Sequence, residues 1–155
     1  MHEVDDSFGN ALKYALKILG YRDRSASEMR QKLAAKGFPA DVVNATIVRL
    51  EEKGFVDDQR FAELLKRDAI ERRNYGAHGT RSYLLKKGIS PEITDAVTNG
   101  DEDYDGAARR LVEKKMKLMK DCSEDTARRR LWGLLSRRGF ASDDIRSILK
   151  QYFEF

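Results

Sequence analysis

Cysteine, tryptophan and proline are scarce in this 155-residue chain: Cys122 and Trp132 each stand alone, and Pro39 and Pro91 are the two prolines. A single cysteine closes no internal disulfide and builds no cysteine-based metal site, a usage that suits a reducing cytosol. No apolar run approaches the length of a signal core or a membrane span, and Met1 to Phe8 carry Glu3, Asp5 and Asp6 in place of a basic head. The sequence therefore predicts a soluble, cytoplasmic protein. Strand-like alternation of apolar and polar residues is missing too, so the fold class expected is all-α.

Catalytic groupings are equally scarce. His2 and His78 join no nucleophile, base or metal set, and Gly76 and Gly79 follow no strand and make no phosphate loop. Cys122 lies between Asp121 and Glu124, neighbours of the wrong sign for a reactive thiolate. The chain reads as a non-enzyme with no cofactor and no metal.

What the chain does contain is one short phrase written three times. Leu33, Lys36, Gly37, Phe38 recurs as Leu84, Lys87, Gly88, Ile89 and as Leu135, Arg138, Gly139, Phe140, with 51 residues between successive glycines. A leucine, a cation, a glycine and a large apolar residue spell the end of a helix. The glycine takes the left-handed position after the last turn, and the apolar residue folds back onto that turn. Phe38, Ile89 and Phe140 are therefore expected in the core, and Phe61 with them.

A second helix is expected directly after each glycine. Pro39 and Pro91 suit a first turn, and Asp41, Glu92, Asp143 and Asp144 suit the positive end of a new helix. A period of 51 residues leaves room for a third helix in each copy. Ala11, Leu12, Ala15, Leu16 and Leu19 supply it in the first copy, Phe61, Leu64, Leu65, Asp68 and Ala69 in the second, and Ala107, Ala108, Leu111, Val112 and Met116 in the third. Ser25 with Glu28 forms the pattern of a capping box, and Asp57 or Asp58 is expected to cap another helix. The expectation is an elongated tandem array of three three-helix repeats, at 9–56, 57–102 and 103–155, after a short tail at 1–8. With 36% charged residues and a mean hydropathy of -0.65, the core of such an array must be shallow and extended.

The net charge is +4, and its distribution matters more than the sum. Residues 104–155 hold 13 basic and 8 acidic side chains, against 9 and 8 in residues 1–56 and 8 and 10 in residues 57–103. The third repeat is thus the basic one. Its cations cluster as Lys114, Lys115, Lys117 and Lys120, then Arg128, Arg129 and Arg130, then Arg137 and Arg138. Such clusters fit a polyanion or an acidic protein face, and arginine forks suit phosphate and carboxylate. The lysines fit an ordinary solvated face equally well. At least one of Arg22 and Arg24 is expected to pair with Asp23 or with the Asp57, Asp58 junction. Trp132 falls where the other copies have Arg30 and Arg81 and is read as covering the core edge, ahead of serving as a partner anchor.

The run Tyr21, Arg22, Asp23, Arg24, Ser25, then Glu28, Leu33, Lys36, Gly37 and Phe38, resembles the first repeat of the bacterial RecX family of regulatory proteins. Gly54, Phe55, Val56, Asp57, Asp58, Arg60, Phe61 and Ala62 resemble that family's link into its second repeat, which Leu84, Lys87, Gly88 and Ile89 continue. Leu135, Arg138, Gly139, Phe140, Asp144 and Ile145 resemble its third. The resemblance spans residues 11 to 152. The chain departs from the pattern at Ala77, His78, Gly79 and Thr80, where the family often has a proline and an apolar residue. A late or frayed helix start is expected there.

The resemblance implies a non-enzymatic modulator of the RecA recombinase that lodges in the groove of the RecA filament. Filament growth, ATP turnover and strand exchange would be restrained, and with them recombination and the SOS response. Contact with single- or double-stranded DNA would be secondary, and a monomer is expected. Partner contacts carried over to the middle helix of the second repeat are Arg81, Lys86 and Lys87. Two other readings compete: a tandem helix-turn-helix DNA-binding protein, and a helical scaffold for acidic protein partners. Against sequence readout, the first turns that would read bases carry Asp41, Glu92, Asp143 and Asp144, which repel phosphate.

Overall fold

The computed structural model describes residues 2–154, with side chains from residue 6 onward. Among the described residues there are nine α-helices: α1 (His2–Leu19), α2 (Ala26–Ala35), α3 (Ala40–Glu52), α4 (Asp58–Arg67), α5 (Ala77–Lys86), α6 (Pro91–Val97), α7 (Tyr104–Met116), α8 (Glu124–Arg137) and α9 (Ser142–Leu149). One π-helical turn, Asp68–Arg72, extends α4. Helix α1 begins at His2, so residues 2–8, expected as a tail, continue the first helix. No helix among the described residues is long and apolar enough to cross a membrane.

The thrice-repeated phrase closes α2, α5 and α8 as its chemistry dictates. Gly37, Gly88 and Gly139 have φ of 101°, 89° and 85°. In each copy the amide of the next residue reaches back five residues: Phe38 N to Leu33 O at 3.3 Å, Ile89 N to Leu84 O at 3.1 Å and Phe140 N to Leu135 O at 3.1 Å. The carbonyls left over at each helix end are thereby satisfied. Gly54, with φ 77°, closes α3 in the same manner, a fourth instance that the repeat pattern alone does not announce. At the other ends, the Ser25 hydroxyl accepts from Glu28 N at 3.1 Å and Asp57 accepts from Arg60 N at 3.1 Å. The reciprocal half of the capping box is absent, because the Glu28 carboxylate takes Arg22 and Arg24 instead. Ser25→Ala is expected to cost about 1 kcal/mol, read as a lowered midpoint in urea with an unchanged slope.

Three helices pack on one another within each repeat, and each repeat has its own core. Met29, Leu33, Ile47 and Leu50 fill the first, Ala62, Leu84 and Ile89 the second, and Leu111, Leu131, Leu135 and Ile148 the third. Trp132 is half-buried against the third core, as its position between Leu131 and Leu135 suggested. Ile89 and Phe140 are buried as expected, whereas Phe38 and Phe61 are half-buried at core edges. The accessible surface is 9892 Å², against about 8,000 Å² for a compact monomer of this mass. Separate cores joined in a row account for the excess: the molecule is elongated.

Neighbouring repeats meet at equivalent places. The start of each middle helix rests on the closing glycine of the next repeat's middle helix, so α2 meets Gly88 and α5 meets Gly139. At the first junction a Cβ on Gly88 would strike the Ser25 hydroxyl, and Asp58 Oδ1 accepts from Ala26 N at 2.9 Å. Burial pushes the Asp58 carboxyl up from its ordinary range, and that backbone bond partly offsets the shift. At the second junction backbone lies directly on backbone: Gly76 N donates to Arg138 O at 2.9 Å and His78 N to Gly139 O at 3.1 Å. A Cβ on Gly76 would sit 2.7 Å from Gly139 O, and one on Gly79 would overlap Arg138 O. This close approach corrects the expected late start of α5. The helix begins at Ala77 with Gly79 inside it, because only glycine admits the neighbouring chain at that distance.

Candidate interaction surface

Helix α4 does not end where a 3.6-residue period would end it. At Asp68 the ladder widens by one residue, and Arg73 N donates to Asp68 O at 3.1 Å. Asn74 then turns the chain at φ 53°, in the left-handed region that asparagine tolerates better than most residues. Its side chain accepts from Arg110 Nε at 3.2 Å, and Arg110 also donates to Ile70 O at 3.0 Å. A cation from the third repeat therefore ties down the widened turn of the second. Such turns recur at functional sites because they re-aim the side chains beyond them.

The re-aimed side chains meet at Asp68. Its carboxylate accepts from Arg73 Nε at 2.8 Å and from the Tyr83 hydroxyl at 3.0 Å, with Arg72 3.6 Å away. The Arg73 hydrogen bond, against the opposing effect of burial, holds the Asp68 carboxyl below the usual carboxylate range. Burial, then Asp68, pushes the Tyr83 hydroxyl up. The stabilisation from a depressed carboxyl is complete above its unfolded-state value and is lost as pH falls through the folded one. Acid titration should thus loosen this cluster only at and below the ordinary carboxylate range. Tyrosine fluorescence should report the step, and Asp68→Asn should abolish it.

From this hub a row of cations and rings crosses into the third repeat. The Arg73 guanidinium lies 4.7 Å from the Tyr83 ring centroid and Lys87 Nζ 5.7 Å from it. Tyr75 meets Tyr83 edge to face at 5.8 Å, and Arg138 stands 5.9 Å from the Tyr75 ring while donating to the Arg73 carbonyl. Each such contact contributes about 0.5–1 kcal/mol at an exposed site, so the row fixes geometry more than it adds stability. Beside it opens a 310 Å³ concavity lined by Tyr75, Ser82, Tyr83, Lys86 and Arg137, and no carboxylate lines it. Cations around half-buried tyrosine rings suit carboxylate or phosphate groups on a partner.

The sequence-predicted cations separate into two groups. Arg137, Arg138, Lys86 and Lys87 converge on this surface from two repeats. Arg128 instead reaches Asp125 at 2.6 Å and Glu154 O at 3.2 Å, Arg130 reaches Cys122 Sγ at 3.4 Å, and Arg129 is exposed. Lys114 and Lys117 are exposed and Lys115 is half-buried around the end of α7. None of these six lines the concavity. Arg81 pairs with Asp95. Arg22 and Arg24 pair with Glu28 and not with Asp23 carboxylate or the Asp57, Asp58 junction. Arg72, Arg73, Tyr75 and Tyr83 were not singled out by sequence reasoning. The one local signal was the run Arg72, Arg73, Asn74, Tyr75, Gly76, whose asparagine and glycine mark a turn without saying what it faces.

Fold and surface together define a class: an all-α rod of three three-helix modules that presents a charged, aromatic face across its module junctions. The models of the three RecX domains match it in order, the first three-helix domain over residues 11–50, the second over 57–97 and the third over 101–149. The chain belongs to the RecX family. A protein named regulatory protein RecX from Chlorobium phaeobacteroides is 33% identical over 155 residues, covering 99% of each chain. One of the same name from Pelodictyon phaeoclathratiforme is 32% identical over 149 residues, covering 95% of this chain and 91% of its own. The crystal structure of RecX from Lactobacillus salivarius superposes with a TM-score of 0.81 at 23% identity, over 95% of this chain and 97% of that one.

Proposed function

We propose that this chain is a non-enzymatic cytoplasmic regulator of the RecA recombinase. It lies along the groove of the RecA-DNA filament as a monomer and restrains filament growth, ATP hydrolysis and strand exchange, and through them DNA repair, recombination and the SOS response. The observation that carries the reading is the basic, aromatic surface shared by the second and third repeats of an elongated rod. A rod whose modules present similar junctions can touch successive subunits of a polymer. Contacts that are weak singly then add through effective concentration.

Sequence-specific DNA readout is disfavoured by the same geometry. Asp41, Glu92, Asp143 and Asp144 are all exposed in the first turns that would enter the groove. Steady-state ATP hydrolysis by pre-formed RecA filaments is the test. Hydrolysis should fall at amounts at or below one chain per RecA subunit. A random duplex pool should yield no selected sequence. Unchanged hydrolysis across that range would refute the reading.

A further inference from the structure

Between the first and second repeats lies a groove of 620 Å³ that the basic surface does not use in full. Its floor is apolar: Leu64 is 44% exposed, and Phe61 and Tyr83 are half-buried beside the buried Leu65. Four cations stand around it, Arg22, Arg72, Arg73 and Lys87, against two carboxylates, Asp23 and Asp68. Asp68 is already engaged by Arg72, Arg73 and the Tyr83 hydroxyl. Past Arg22 and Lys87 the groove continues into a second concavity of 380 Å³, which Leu85 lines at 37% exposure. Two exposed leucines thus flank a pair of cations along one trough.

We infer that this trough is a docking site for an acidic peptide segment of a partner protein, one that carries large apolar side chains between its carboxylates. The apolar side chains would seat on Leu64, Phe61 and Leu85, and the carboxylates would meet Arg72 and Lys87, since Arg22 is already held by Glu28. Charge complementarity selects the occupant. The arginine forks match carboxylates in pairs, and Arg72, whose side chain is 84% exposed at a loose 3.6 Å pair, has freedom to swing toward one. A nucleic acid fits worse on two counts. Its backbone gains nothing from aliphatic floor residues, and the Asp23 carboxylate would face an unbroken row of phosphates, whereas the peptide's carboxylates are spaced by its apolar side chains. The groove shares Arg73, Tyr83 and Lys87 with the basic surface, but the peptide test reads the occupant's chemistry without the filament, so the two readings can fail separately.

The test uses the full chain and a fluorescently labelled probe peptide in which Asp and Glu flank a central Phe-Leu pair, followed by anisotropy. Replacing the Phe-Leu pair by Ser-Ser should weaken binding about tenfold or more, the usual consequence of removing an apolar anchor. Leu64→Glu should do the same. Leu64 is an exposed position, so the fold should persist, and an unchanged circular dichroism melt checks that it does. Lys87→Ala provides a second variant that removes a cation and leaves the floor intact, with a loss of several-fold expected. Binding that ignores the apolar anchor, or an oligothymidine of equal charge that displaces the peptide with equal strength, would overturn the inference in favour of a polyanion surface. Absence of peptide binding at millimolar concentration would overturn it outright.

Discussion

Gly139→Ala is expected to destabilise the chain by about 3 kcal/mol and to lower the melting temperature by about 10 °C, while Gly37→Ala costs only the left-handed backbone penalty of about 1–2 kcal/mol. The two glycines hold the same place in the repeated phrase and both have positive φ, 85° and 101°. They differ in what lies beyond them. Space around a Cβ on Gly37 is open, whereas one on Gly139 would overlap the backbone nitrogen and Cα of Gly79. The left-handed penalty is common to both; overpacking of backbone on backbone belongs to Gly139 alone. Relieving that overlap means parting α5 from Arg138 and Gly139, with loss of the bonds from Gly76 N and His78 N. Small-angle scattering should then show a changed rod with its helix content intact. Equal melting temperatures for the two variants would show that the second junction is not held by this contact.

Charge reversal at Lys86 and Arg137 together is expected to raise the amount of protein needed for half-inhibition of filament ATP hydrolysis about thirtyfold. That corresponds to about 1 kcal/mol for each rim charge turned from attraction to repulsion. Both residues line the carboxylate-free concavity across the second junction, and both are exposed. The variant should therefore fold normally. The comparison variant reverses Arg128, Arg129 and Arg130, which lie away from that concavity. A larger loss from the triplet than from the Lys86, Arg137 pair would move the filament contact to the far end of the third repeat. The salt dependence should divide the same way, steeper for wild type than for the pair variant.

Much of the architecture was legible because its signals are local. A leucine, a cation, a glycine and an apolar residue fix a helix end within six residues, so the three closures and the all-α class follow from the chain read in short windows. Ser25 and Asp57 announce helix starts for the same reason. The departures come where contacts are distant. The glycines at 76 and 79 read as helix breakers in isolation, yet they open a well-formed helix because the backbone at 138–139 lies against them. Arg22 and Arg24 have nearer acidic neighbours in sequence than Glu28, but the capped start of α2 brings that carboxylate round to both.

The interaction surface was half legible. Lys86, Lys87, Arg137 and Arg138 stood out as cations beside the repeated glycines. Arg72, Arg73 and Tyr75 did not, since a π-helical turn shifts them off the 3.6-residue register by which faces are assigned, and Tyr83 did not because it sits on the next helix, α5, and only the tertiary fold brings it to Asp68. The arginine triplet, conspicuous as a run, is dispersed onto Asp125, the Glu154 carbonyl and Cys122.

The amino-acid sequence by itself determined the elements: which residues start and end helices, that the unit repeats at 51 residues, and that cores are small and positive charge gathers in the third unit. Those properties follow from interactions spanning a few residues, and any fold of this chain must honour them. The tertiary structure alone decided how the units lean on each other and therefore which cations share a face. That outcome depends on backbone meeting backbone across roughly 60 residues of chain, on one widened helical turn, and on two arginines bridging repeats, Arg110 and Arg138, none of which has a local sequence pattern strong enough to fix it.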